Sequence, residues 1–296
     1  MSRAGAVVLP LLFLLLYLIW GFTYVAIKIG LRWTGPLTMA GARAVLAGLA
    51  LAGLALALGR AVPRGWRVHR LTATVGLLNV AGLAGLMSLG LTTVSAGETS
   101  LLIYTQPLQV AALSALVLAE RLSRRQVAGL LLGFGGMAIV LAPRIQPSAA
   151  PVWWAYAVLL TGAGCWALAT VLYRGWQRAG APLARVDVLW VTALQALYGA
   201  VPLLVAAGLV EGLAVVWTGE LVGSLLFTGL LSSGLANVLW FYLLTRRAAT
   251  VVSTYVFLVP AFAVGFGTLV LGEPLTPSLL AGGLLTLTGI ALVSRQ

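Results

Sequence analysis

The sequence predicts an all-α integral membrane protein in which ten transmembrane helices form two five-helix repeats of inverted topology. Three observations carry that prediction. Of the 296 residues, 61% are hydrophobic and only 8% charged, against about 25% charged in an ordinary soluble domain, so the apolar excess has to face lipid. The apolar residues gather into runs long enough to cross roughly 30 Å of hydrocarbon as helix. Finally, one stretch is written twice. LVLAERLSRRQVAGLLLGFGG, from Leu116, and LVLGEPLTPSLLAGGLLTLTG, from Leu269, share a gapless frame that sets Glu120 over Glu273.

The apolar runs occupy 7–29, 36–58, 71–91, 96–119, 126–142, 153–173, 183–207, 221–244, 250–271 and 277–293. Span 1 is too long for a signal-peptide core and has no convincing cleavage site, so it is kept as a span. Span 2 carries Arg43, span 3 Asn79, and span 4 Glu98 and Pro107. Spans 5 and 10 read as scaffold, because Gly129 and Gly133 in one and Gly282 and Thr286 in the other are small residues spaced for close helix packing. Ser123 ahead of span 5 and Thr276-Pro277 ahead of span 10 supply helix-start chemistry. Span 6 carries Trp166, span 7 has Asp187 near its start, span 8 holds Ser233, Asn237 and Trp240, and span 9 holds Pro260.

The front of each repeat agrees as well. Trp20, Lys28 and Pro36 match Trp166, Arg174 and Pro182 at a second, smaller offset, a difference that fits the longer basic loop after span 2. Each copy therefore has five helices, which divides the chain at 1–143 and 144–296. An odd number of spans per copy forces the copies into opposite membrane orientations, the architecture of secondary transporters that alternate access around a midplane site.

Orientation follows from the distribution of Lys and Arg, because cytoplasmic loops retain positive charge. With the amino terminus inside, fourteen of the eighteen cations lie on the cytoplasmic side: Arg3, Arg60, Arg64, Arg67, Arg70, Arg121, Arg124, Arg125, Arg174, Arg178, Arg185, Arg246, Arg247 and Arg295. The outer side keeps Lys28, Arg32 and Arg144, and its loop between spans 7 and 8 holds Glu211 and Glu220 with no cation. Both termini are expected in the cytoplasm. This topology also accounts for the net charge of +12. The arginines are spread over every inner loop rather than clustered on one element, so anionic lipid headgroups are the expected partner and nucleic acid is not.

These residues carry a family resemblance. Proline in span 4 and again in span 9, the LxLxEx(L)(S/T) frame that follows each, and Trp20-Gly21 and Cys165-Trp166 in spans 1 and 6 resemble the two EamA domains of the drug/metabolite transporter superfamily. The resemblance covers nearly the whole chain. It implies a ten-helix exporter of the bacterial inner membrane, with a central cavity lined mainly by spans 1, 3, 4, 6, 8 and 9. Ten-span members of that superfamily include exporters of amino acids, aromatic ones among them, and of other metabolites.

The inventory of reactive side chains excludes much else. Lys28, the single lysine, lies in YVAIKIG, so there is no GxxxxGK(S/T) phosphate loop. One Cys and one His share no metal-ligand spacing, and neither a cofactor nor a metal is expected. An intramembrane enzyme would need a nucleophile with its base, or clustered acids. A channel would show a charged ring or a carbonyl filter. None of the six acids falls at a clear midplane position.

Functional candidates are therefore the polar and aromatic residues within spans, because polarity in hydrocarbon is costly and turns toward the bundle interior. Trp20 and Tyr24 share a face of span 1 with Lys28, and Trp166 answers in span 6 with Thr170 and Arg174. The aromatic residues suit either cavity lining or packing, and Lys28 and Arg174 suit snorkelling to the span ends. Span 4 adds Tyr104, Gln106 and Gln109, with Pro107 freeing a carbonyl one turn back. Asn79 and Asn237 suit either substrate contact or bonding between helices. Ser233, Asn237 and Trp240 fall at i, i+4 and i+7, and Tyr255 precedes Pro260 in the second repeat. Arg43 cannot reach either interface easily and needs a partner or a wet cavity, since an unpaired charge there costs about 2.5–3.5 kcal/mol on insertion scales. With amides and rings but no strong fixed charge expected at the centre, the reading is a monomeric secondary exporter of neutral or zwitterionic small molecules, amino acids foremost. Export of drugs or cations is the alternative, and a gated channel a more distant one.

Overall fold

The computed structural model describes residues 3–117, 123–141, 152–246, 252 and 259–294. The fold is helical, and the described residues hold no β-structure beyond an isolated antiparallel bridge between Thr34 and Val215. The helices are α1 (Arg3–Gly30), α2 (Pro36–Ala57), α3 (Trp66–Leu91), α4 (Ala96–Val117), α5 (Arg124–Leu141), α6 (Trp153–Arg178), α7 (Val188–Val210), α8 (Gly219–Arg246), α9 (Val259–Leu271) and α10 (Pro277–Ser294). Seven of them, α1 to α4 and α6 to α8, contain stretches long and apolar enough to cross a membrane by length and composition. Leu116, Leu209 and Leu269 lie more than four-fifths exposed on the outside of the bundle, as side chains that face lipid would. Trp66, Trp153 and Trp217 are exposed at helix starts, where indole rings suit the headgroup level.

Two ends of the bundle differ in chemistry. At one, α7 closes against the start of α2: the Glu211 carboxylate accepts hydrogen bonds from the amides of Leu37 at 2.7 Å and Thr38 at 2.9 Å and from the Thr38 hydroxyl at 2.7 Å. These are orphan donors of a helix N-terminus, and a carboxylate is the group that satisfies them best. Close by, the Trp33 indole donates to Glu220 at 3.0 Å. At the opposite, arginine-rich end, Asp187 caps α7 through the Leu189 amide at 2.9 Å and pairs with Arg60 at 3.4 Å. Helices α2 and α7 therefore run antiparallel, pinned at both ends.

The repeats meet as an inverted pair. Helix α1 ends at the carboxylate end and α6 at the arginine-rich end, yet their matched residues Trp20 and Trp166 touch in the middle, ring centroids 5.7 Å apart. Helices α5 and α10 pack along each other to one side. A Cβ at Gly289 would strike the backbone of Gly129 and Gly133, so only glycine permits this approach, and the Thr286 hydroxyl reaches the Gly133 carbonyl at 3.3 Å. The Thr276 hydroxyl caps α10 through the Leu279 amide, as its helix-start position predicts.

Three helices depart from regular α geometry. Helix α4 breaks into Ala96–Ile103 and Gln106–Val117, the place Pro107 dictates, because its ring excludes the carbonyl of Ile103 and its nitrogen carries no hydrogen. Helices α3 and α8 each contain a π-helical segment, Leu77–Gly85 and Phe227–Ala236. The sequence shows no sign of these two segments by hydrophobic period. Helix α3 also begins at Trp66 instead of residue 71, so Arg67, His69 and Arg70 extend its first turn rather than lying in a loop. Helix α6 likewise continues to Arg178, beyond the expected end at residue 173.

Candidate functional site

A cavity of about 80 Å³ lies at the centre of the bundle between the two repeats. It is well above the roughly 10–15 Å³ that a single water needs. Its walls come from α1, α2, α3, α4, α6, α7 and α8. Both π segments border it: Asn79, Val80, Leu83 and Ala84 from one, Ser232 and Ser233 from the other, with Asn237 just after it. Wide turns of this kind recur at functional sites, because they push backbone and side chains out of helical register.

One wall is aromatic. The Trp166 ring meets Trp20 edge-on at 5.7 Å and Tyr104 edge-on at 5.6 Å, the geometry in which a positive ring edge meets a negative face. Trp240 lies behind them, 5.2 Å from Trp166 and 5.6 Å from Trp20, and holds both indoles in place. Tyr24 and Tyr104 both present their rings to the lining.

The rest of the lining is partly polar. The Asn79 amide donates to Gln195 Oε1 at 3.1 Å, while its own Oδ1 has no partner. The hydroxyls of Thr23 and Ser232 lie 2.8 Å apart. Asn237 donates to the carbonyls of Ser232 at 3.2 Å and Ser233 at 3.3 Å, at the end of the wide turn of α8. Arg43 sits in the same lining, 2% exposed, with one long hydrogen bond from its guanidinium to the Ala84 carbonyl at 3.4 Å and none from Nε. Among the described residues no carboxylate lines the cavity.

The structure thus brings together Trp20, Tyr24, Asn79, Tyr104, Trp166, Ser233 and Asn237. It does not bring Trp240, Gln106 or Gln109 to the lining. Trp240 is fully buried behind the indoles. Gln106 is fully buried against the Thr170 hydroxyl at 3.3 Å. Gln109 bonds Thr105 at 3.1 Å and lines a separate open groove beside Leu160 and Cys165. Tyr255 lies outside the described residues. The expectation of a centre without fixed charge is overturned by Arg43, which lines the cavity. Gln195 and Ser232 were missed. Gln195 is visible as an amide within an apolar run, but it lies on span 7, outside the walls that the resemblance implied.

Lys28 does more than snorkel. Its ammonium pairs with Glu273 at 2.8 Å and reaches the Val94 carbonyl at 3.3 Å. Glu273 also accepts from the amides of Ala96 at 2.8 Å and Gly97 at 3.3 Å. One carboxylate therefore caps α4, anchors the end of α1 and belongs to the turn after α9. Among the described residues no cluster of His, Cys, Asp or Glu is able to hold a metal.

A bundle of apolar helices in two inverted halves, enclosing a mixed aromatic and polar cavity, defines a multi-pass membrane transporter. The sequence profile of the EamA-like transporter family matches residues 9–142 and 153–295. The chain belongs to that family, whose members transport and do not catalyse. It is 33% identical over 295 residues to a Bacillus subtilis protein described as "Uncharacterized transporter YvbV", covering 97% of this chain and 91% of the relative. It is 30% identical over 279 residues to the "Probable terminal-alkyne amino-acid exporter" of Streptantibioticus cattleyicolor, covering 94% and 90%. A crystal structure aligns with a TM-score of 0.71 at 21% identity over 98% of this chain and 96% of its own, a likeness of fold.

Proposed function

We propose that this protein exports amino acids, neutral and aromatic ones foremost, or closely related small metabolites, by alternating access at the central cavity. The observation that supports this most is the lining itself, in which the two repeats converge on one chamber that combines indoles and phenols with amides and hydroxyls. Aromatic faces suit flat apolar side chains. Amides and hydroxyls suit the polar head of an amino acid. The relative named "Probable terminal-alkyne amino-acid exporter" agrees with this substrate class. The working form in this proposal is a monomer with ten spans in the bacterial inner membrane, with both termini in the cytoplasm and lipid as its other partner.

Export of cations is the weaker reading, because a site for a cation places a carboxylate among its rings, whereas this cavity presents Arg43. Purified protein in liposomes tests the two readings. Labelled phenylalanine, threonine and a quaternary ammonium drug are offered under imposed pH and sodium gradients, with Trp20→Ala and Asn237→Ala as controls. Amino-acid movement reduced by both substitutions is expected. Drug movement without amino-acid movement would overturn the substrate class, and amino-acid transport indifferent to both substitutions would overturn the site.

A further inference from the structure

Arg43 and Asn79 are the two lining residues whose polar atoms are most conspicuously incomplete. The Arg43 Nε donor and the Asn79 Oδ1 acceptor are both buried and both without a hydrogen-bond partner. A guanidinium has five N–H donors, and in this structure it makes one long hydrogen bond, to the Ala84 carbonyl, with the Tyr24 phenol nearby. Native interiors rarely leave such groups unmet, and those that stay unmet call for an explanation.

The described acids supply none. Glu211, Glu220 and Glu273 are engaged at the carboxylate end. Asp187 pairs with Arg60 at the opposite end, and Glu98 forms the capping box of α4 with Ser95. Arg43 therefore carries a fixed positive charge into a chamber with no carboxylate in its lining.

We infer that Arg43 is the specificity-determining residue of the cavity, and that it requires a carboxylate on the transported molecule. The guanidinium receives the carboxylate as a paired, charge-assisted contact, and Asn79 Oδ1 accepts from the neighbouring ammonium. A free donor and a free acceptor in one lining are complementary to the head group of a zwitterionic amino acid. The indoles and phenols of the same lining take its side chain. This deepens the transport reading and rests on the cavity being the substrate site.

The test compares each acid with its amide. Wild-type protein and the variants Arg43→Gln and Arg43→Lys are purified, and their folding is checked by size exclusion. Thermal stabilisation is then measured with phenylalanine, phenylalaninamide and phenethylamine, followed by counterflow of the same probes in liposomes. Wild type is expected to be stabilised by phenylalanine alone, and Arg43→Gln to weaken apparent affinity for it roughly tenfold or more. Arg43→Lys, which keeps charge but not the fork, is expected to fall between. If the amide or the amine binds wild type as well as the acid, or if Arg43→Gln weakens all probes alike, Arg43 is structural and the proposal fails. If Arg43→Gln does not fold, the comparison within wild type still decides, because no preference for the acid overturns the inference. Carboxylate-dependent stabilisation without counterflow would leave the inference standing and strike the transport reading instead.

Discussion

Trp166 touches Trp20, Tyr104 and Trp240 at centroid distances of 5.7, 5.6 and 5.2 Å, so it ties three helices to one face of the cavity. Trp166→Ala is expected to weaken transport of phenylalanine far more than that of threonine, read as the ratio of their KM values in liposomes. An equal loss for both would make the ring a packing element only. Glu211 gives a separate test of stability. It serves two backbone amides and a hydroxyl at the start of α2, and charge-assisted bonds of this kind contribute about 1.5–3 kcal/mol each at most. Glu211→Ala should lower the melting temperature of the purified protein and leave KM unchanged. Trp20, Tyr24, Asn79 and Tyr104 could be picked out as candidates because a polar or aromatic side chain inside a span has few places to go, and they do line the cavity. Gln106 and Gln109 were misread for a local reason. The break at Tyr104 and Thr105 resets the phase of α4, and its second half turns those amides toward Thr170 and Leu160 on α6.

The same lesson holds for whole elements. Ser233, Asn237 and Trp240 share a face only if α8 keeps 3.6 residues per turn, and the segment Phe227–Ala236 does not. Its i→i+5 bonds widen the turn, which leaves Ser233 and Asn237 on the cavity and carries Trp240 behind the indoles. Proline announces a break, as Pro107 does, whereas a π segment leaves no mark in a hydrophobic pattern. Asn237 holds this segment by donating to the carbonyls of Ser232 and Ser233. Asn237→Leu removes both bonds, and the expected result is a change in turnover at saturating substrate in addition to any change in KM. A pure KM effect would assign Asn237 to substrate contact alone. The scaffold pair behaves differently. Gly289→Leu should separate α5 from α10, whose backbones touch there, and lower thermal stability while the folded fraction keeps wild-type KM.

At the scale of the molecule, composition, span count and the doubled frame were enough to anticipate a helical membrane protein in two halves, because lipid leaves so few solutions for the backbone. The two ends of the bundle differ in charge. Lys28, Glu211, Glu220 and Glu273 share one end, and Arg60 and Asp187 lie at the other. Placing the arginine-rich end in the cytoplasm satisfies the distribution of loop cations. In a Cys165→Ala background, an impermeant thiol reagent applied to intact cells should label a cysteine introduced at Gly212 and spare one at Arg67. The reverse pattern would invert the whole assignment. The same separation of charge bears on energy coupling. The engaged acids sit at helix ends, and the cavity between them holds an arginine with no carboxylate in the lining. A proton-coupled carrier needs a group in the pathway that exchanges its proton as access alternates, and a carboxylate at the midplane is the usual device. Glu98 and Asp187 are tied into helix starts instead, one by a capping box and the other by Leu189 and Arg60. Counterflow of substrate is therefore expected to proceed without a pH gradient. Glu98→Gln and Asp187→Asn should change it only as far as they change the amount of folded protein. If either amide variant abolished accumulation driven by a pH gradient while leaving counterflow intact, that carboxylate would be the proton carrier, and coupling would run through the helix ends instead of the cavity.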